Sequence, residues 1–175
     1  NAVPYLGILI TYPTDQPAGR SRVIELVPNK PGGPVTLGLI GAGNHVKDML
    51  LPPLKALKQV TIRGVCTASG INAKALGAKI GAPYCTTDPQ AIVEDATINA
   101  VLIGTRHDSH ASLVIQALQA GKHVFVEKPL CLTEQELDQI TSVYQDHSRN
   151  GLHLMVGLNR RFSVHGQKAR AFFQD

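Results

Sequence analysis

No apolar run in this sequence approaches the roughly 18 residues that a membrane-spanning helix needs. The stretch Tyr5 to Ile10 is too short for a signal peptide and lacks a basic flank. A soluble protein of the cytoplasm, with no membrane partner, is therefore the expectation. Cysteine is scarce: Cys66, Cys85 and Cys131 are odd in number, far apart and without a CxxC pair. That pattern indicates neither a disulfide framework nor a zinc site, and reads as reduced, buried thiols. A basic stripe is missing too. The net charge of +4 is scattered apart from Arg160-Arg161, which with no recognised module argues against nucleic acid as a partner.

At 175 residues with 43% apolar and 17% charged side chains, the chain can build one domain with a real core but not two of full size. It begins without methionine and closes on HGQKARAFFQD, which looks like a helix cut short. A piece of a longer protein is the expectation. Residues 3 to 34 differ in character from the remainder of the chain: the strand-like YLGILITY leads into Pro13, Pro17, Pro28, Pro31, Gly32, Gly33 and Pro34. These read as turns and linker, either a frayed leader or the remnant of a preceding domain.

From Val35 onward short apolar runs alternate with helical spacing. VTLGLI, VTIRGVCT, NAVLIGT, KHVFVEK and LHLMVGLN are strand candidates. Between them, Asn44 to Lys58 carries Val46, Met49, Leu50, Leu54 and Leu57 at helical intervals, with Pro52-Pro53 expected to kink the helix or delay its regular start. Asn72 to Ile80 is the second helix. Thr87-Asp88-Pro89 predicts a capped short helix to about Glu94. Asp108 or Ser109 should cap a helix that ends at Gly121. Thr133 and Glu136 form a capping box for a helix over Leu137 to Asp146. Such regular alternation implies βαβ units and a doubly wound parallel sheet, an α/β Rossmann fold.

In that fold ligands bind beyond the carboxyl ends of the strands. After the first strand come Gly41, Ala42, Gly43, Asn44 and His45: Gly41 permits a tight turn, and Gly43 lets a pyrophosphate approach the backbone. Val46 stands where a third glycine is usual, which predicts a slightly wider gap between first strand and first helix. After the second strand no carboxylate is present to bind the ribose hydroxyls of NAD. Ser69, with Lys74 five residues on, could instead hold a 2'-phosphate, which tilts the cofactor towards NADP over NAD, although Lys74 also reads as a solvated helix lysine.

The third strand end is Thr105-Arg106-His107-Asp108-Ser109-His110. The two histidines make an incomplete metal set, and residues adjacent in sequence do not converge as a Ser/His/Asp triad must. No metal is expected; His107 and His110 facing a cofactor is the preferred reading. Glu127-Lys128-Pro129 closes the fourth strand.

GAGNHV, VLIGTRHDSHASL, AGKHVFVEKPL and VGLNRRF resemble, in order and spacing, the Gfo/Idh/MocA family of NAD(P)-dependent oxidoreductases, over about Thr36 to Phe162. The resemblance implies that Lys128 is catalytic, lying beside the nicotinamide and orienting or polarising the substrate oxygen. Pro129 is then a candidate cis proline that would aim Lys128 inward. It implies that Gly41, Gly43, Asn44, His45, Ser69, Thr105, His110 and Glu127 line the cofactor, and that Arg161 of the N-x-R-F stretch lies near the pocket. Arg106 replaces the family's usual proline and could alter the cofactor edge. A surface salt bridge between Glu127 and Lys128 is the blander reading of that pair.

Family members continue into a substrate domain with an Asp-and-His pair for proton transfer, absent from these residues. That gives 1–34 as leader or linker, 35–162 as the dinucleotide-binding domain and 163–175 as the start of the next domain, through which a homo-oligomer could form. YLGILITY and its linker weakly resemble the end of a zinc-type alcohol dehydrogenase domain, as in two-part bacterial proteins. The implied function is hydride transfer between a nicotinamide cofactor and a carbohydrate-like or polyol substrate. A dinucleotide-sensing regulatory module of the same fold is the alternative, and an isolated piece that binds nothing tightly is the third.

Overall fold

A computed structural model describes residues 22–26, 35–148 and 151–173. Its strands are β1 (Val23–Glu25), β2 (Val35–Ile40), β3 (Val60–Cys66), β4 (Tyr84–Thr86), β5 (Ala100–Ile103), β6 (His123–Val126) and β7 (Leu154–Val156). Its α-helices are α1 (Leu51–Ala56), α2 (Gly70–Ile80), α3 (Pro89–Val93), α4 (His110–Gln119), α5 (Glu134–Ser148) and α6 (Val164–Phe172). The sheet order is β1-β4-β3-β2-β5-β6-β7. All neighbours are parallel except β1, which runs antiparallel along β4.

Alternation along the central strands explains why both faces of this sheet are covered. Leu37 and Leu39 of β2 join Val46, Leu51, Val65 and Leu76 on one face. Ile40 joins Ile92, Val101, Ile103, Val114 and Leu118 on the other. Each fully buried side chain of this kind contributes about 1.5–3 kcal/mol. Two glycines let α3 approach closely: a Cβ on Gly38 would collide with Ile92, and one on Gly64 with Tyr84 and Ile92.

Several expectations hold in detail. Asp88 accepts from the Gln90 amide at the start of α3. In the capping box, Thr133 Oγ1 accepts from the Glu136 amide at 3.2 Å while Glu136 Oε2 accepts from the amides of Leu132 and Thr133. Those donors hold the Glu136 carboxyl below its ordinary pKa. Gly121 ends α4 at φ +72°.

Others are corrected. YLGILITY lies outside the described residues, but within the segment read as linker Val23–Glu25 is a strand of the sheet. β4 is a further strand absent from the candidates; at three residues its alternation is too short to register. The first helix starts at Asn44 as expected but is not regular: a single π-helical turn spans Val46–Leu50 and α-helix resumes at Leu51, because Pro52 and Pro53 lack the amides that a continuous ladder would need. Neither Asp108 nor Ser109 caps α4: the Ser109 hydroxyl donates to Thr105 Oγ1 at 2.7 Å and approaches the Arg106 carbonyl at 2.9 Å. The last strand stops at Val156, and Asn159–Phe162 form a 3-10 turn. Cys66 and Cys85 are buried, but Cys131 is half-buried. Burial pushes the Cys66 thiol up to about 12, with the Asp88 charge adding to the shift.

A polar plug seals the amino-terminal edge of the sheet. Arg63 is the extra residue where the β2–β3 register slips between Leu37 and Gly38, and its Nε donates to Asp95 Oδ2 at 2.9 Å. Buried Lys122 donates from Nζ to the carbonyls of Asp95 and Ile98, both at 2.8 Å. Burial opposes the Asp95 charge, but bonds from Thr97 and the Arg63 guanidinium outweigh it and hold the carboxyl below its ordinary value. A depressed carboxyl contributes stability above its unfolded pKa and loses it as pH falls through the folded one. The urea midpoint should therefore drop below about pH 4, and Asp95→Asn should flatten that acid limb. At the capping box, Thr133→Ala should cost about 1 kcal/mol by the same denaturation assay.

Candidate functional site

Strand order reverses at the β2–β5 pair, so α1 leaves to one side of the sheet and α4 to the other. The crevice between them opens at the carboxyl ends of the strands. The parallel ladder reaches one step past each strand and sets the loops: Gly41 N donates to Cys66 O at 2.9 Å, Gly104 N to Ile40 O at 2.8 Å, Glu127 N to Ile103 O at 2.9 Å and Gly157 N to Val126 O at 2.8 Å. Four loops are thereby fixed along one edge.

The two glycines of the first loop serve different ends. Gly41 has φ +86°, and a Cβ there would lie 2.5 Å from the Gly104 carbonyl carbon and 2.6 Å from the Thr105 nitrogen. Its glycine is required by the fold. Gly43 has an ordinary φ, and a Cβ there would meet nothing within 4 Å. No packing reason for that glycine exists among the described residues. Val46 is 2% exposed and fills the space that a Cβ on Gly104 would occupy. The missing third glycine is thus compensated from the neighbouring strand, a signal that the sequence holds only as Gly104.

Asn44 and His45 are exposed beyond Gly43. His45 Nε2 lies 3.4 Å from Glu127 Oε1, which joins the first loop to the fourth. Glu127 is 9% exposed and its carboxylate packs on Gly157, where a Cβ would stand 2.8 Å from Oε1. Sequence reasoning missed Gly157; the VGLN stretch after β7 carried that information. Glu127 therefore faces His45 and makes no salt bridge to Lys128. Lys128 is exposed at the same edge, ahead of a cis bond to Pro129, and makes no ion pair among the described residues.

The remaining candidates separate. Ser69 is half-buried, with its hydroxyl engaged at the start of α2. Lys74 is exposed on the flank of α2 towards β4, where its charge opposes the burial that raises the Cys85 thiol. Thr105 is half-buried beside an open cleft of about 490 Å³ that it lines with Arg106, His107, Asp108 and Leu132. His107 is exposed and meets His110 edge to face at 5.7 Å between ring centroids. His110 is corrected: it is 0% exposed and offers no face to a ligand. Arg161 is exposed, donates from Nε to Leu158 O at 3.3 Å and stacks its guanidinium 5.9 Å from the Phe162 ring centre. No cluster of three or more His, Cys, Asp or Glu side chains suited to a metal occurs among the described residues, and no described helix is long and apolar enough to cross a membrane.

Residues 35–158 match the model of an oxidoreductase family with an NAD-binding Rossmann fold. The chain is 33% identical over 141 residues to the inositol 2-dehydrogenase of Rhizobium meliloti (strain 1021), covering 81% of this chain and 41% of that protein. It superposes at TM-score 0.73 and 23% identity on scyllo-inositol dehydrogenase from Lactobacillus casei with bound NAD(H) and scyllo-inositol, over 80% of this chain and 41% of that one. It also superposes at TM-score 0.72 and 25% identity on a 3-ketoreductase from Actinomadura kijaniata in complex with NADP and TDP-benzene, over 81% of this chain and 43% of that one. The chain thus spans about two fifths of the curated relatives it matches.

The contrast between the glycines is measurable. Gly41→Ala should destabilise the protein by about 1–3 kcal/mol from backbone strain, whereas Gly43→Ala should stay within about 0.5 kcal/mol of the parent. Urea midpoints of the two variants check this.

Proposed function

Because the chain belongs to the oxidoreductase family with an NAD-binding Rossmann fold, we propose that it supplies the dinucleotide half of a cytoplasmic enzyme transferring hydride between a nicotinamide cofactor and the CH–OH carbon of a polyol or sugar-like substrate. One observation carries this reading: Gly43 is a glycine that the fold does not need, at a place where a Cβ would fill only open space. Such a vacancy over a strand-to-helix turn fits the close approach of a pyrophosphate to the backbone. The donor types along the edge fit the rest of a dinucleotide.

On this reading Gly41 shapes the turn while Gly43, Asn44 and His45 receive the pyrophosphate. Ser69 and Lys74 take the adenosine end, and with no carboxylate after β3 they favour NADP over NAD. Thr105, His107 and Glu127 flank the nicotinamide end, with Arg161 at its outer margin. The bound cofactor supplies the hydride acceptor or donor. Lys128 Nζ donates a hydrogen bond to the substrate oxygen, so that the negative charge developing there during oxidation is stabilised where it forms. His45 restrains the Glu127 carboxylate and leaves the Lys128 ammonium free for that oxygen.

Proton transfer falls, by family resemblance, to the Asp-and-His pair of a second domain, and such a group contributes roughly 10²- to 10⁴-fold in rate. The same reading takes 1–34 as leader or linker with the remnant of a zinc-type dehydrogenase domain, apart from β1. It takes 35–162 as the dinucleotide domain, and 163–175 as the start of the substrate domain through which copies associate.

Titration with NADPH and NADH, followed by fluorescence, tests the reading. NADPH should bind more tightly than NADH, Gly43→Ala should weaken both at least tenfold without unfolding, and Lys74→Ala should weaken NADPH about tenfold while sparing NADH. Absence of binding to either nucleotide sinks the proposal. Lys128→Ala should leave affinity nearly unchanged, since its contact is with the substrate.

A further inference from the structure

His110 is a buried polar side chain with no route to a ligand. It reaches the site by another path. Its ring lies between the third and fourth loops, with Nδ1 at 2.7 Å from the carbonyl of Pro129 and Nε2 at 3.3 Å from the carbonyl of Thr105. A carbonyl only accepts, so the ring is the donor, and the shorter contact, 2.7 Å at Nδ1, is the one a single ring proton serves best. Pro129 follows Lys128 directly, and Thr105 opens the cleft on the other side.

We infer that His110 is a positioning residue: its Nδ1–H bond to Pro129 O holds the backbone that carries Lys128 at a set distance from the Thr105 loop. Three features support this role over simple packing. The ring is 0% exposed, so its donor would carry a desolvation penalty if it lacked this acceptor. Pro129 has no amide of its own, and its carbonyl is the only hydrogen-bonding group on that residue's backbone through which the loop can be tied. The Thr105 loop is itself braced by the Ser109 hydroxyl on Thr105 Oγ1, so the histidine links the Lys128 turn to an already ordered segment. The consequence for Lys128 rests on the proposed function above; the bridge between the loops does not.

The test exploits side-chain geometry. The amide nitrogen of asparagine can occupy the place of Nδ1, that of glutamine the place of Nε2, and phenylalanine keeps the ring volume with no donor. Amide hydrogen exchange over residues 104–109 and 127–132 of the cofactor-free chain is read for each variant. His110→Asn should keep the parent rates, while His110→Gln and His110→Phe should exchange about tenfold faster in both loops. In the cofactor titration, NADPH affinity should follow the same order.

A packing role would invert the series, with His110→Phe like the parent and His110→Asn impaired; that result, or identical rates in all three, overturns the inference. If the variants do not fold, the parent decides the matter: nitrogen NMR of the ring must show Nδ1 protonated with a slowly exchanging proton, and an unprotonated Nδ1 refutes the assignment. A parent chain that binds neither nucleotide but shows the expected exchange order would remove the cofactor reading and leave the His110 bridge standing.

Discussion

The close approach of two backbones at the point where the strand order reverses governs this molecule. Gly41, on leaving β2, passes so near the Gly104–Thr105 peptide that no side chain fits between them. That contact lets β2 and β5 end side by side while their helices depart to opposite faces. Val46 then drops into the hollow over Gly104, anchoring the first helical turn against the adjacent strand. Remove the contact, and the crevice at the carboxyl edge has no defined floor.

From this floor outward the site is assembled by hydrogen bonds of one kind. Each loop begins with an amide given to the last carbonyl of a neighbouring strand, so the sheet itself sets the spacing of the four segments. Side chains make only the finer adjustments. The Glu127 carboxylate bridges towards His45 over Gly157, and the His110 ring sits between the Thr105 and Pro129 carbonyls. Buried groups thus hold the scaffold, while Asn44, His107 and Lys128 remain exposed at its edge.

Much of this was legible beforehand because the relevant physics is local. Continuous apolar runs mark strands covered on both faces, and Asp88 and Thr133 announce their helices through caps of short range. The misses have a common physical origin. Tyr84–Thr86 and Val23–Glu25 are strands by virtue of their neighbours, since three residues hold too little periodicity to declare themselves. Ser109 looks like a cap in one dimension, but its hydroxyl finds better acceptors in the turn that precedes it. His110 resembles a ligand contact in sequence because burial is invisible there.

The sequence by itself determined the alternation of strand and helix, the α/β class, the four segments at the strand ends and the family resemblance they carry, because each depends on residues near one another along the chain. Only the tertiary structure decided that Gly104 makes room for Val46, that Glu127 answers His45 and that His110 ties two loops from inside. Those pairs lie from 19 to 82 residues apart; their partners are chosen by the packing of the sheet, which no local pattern records.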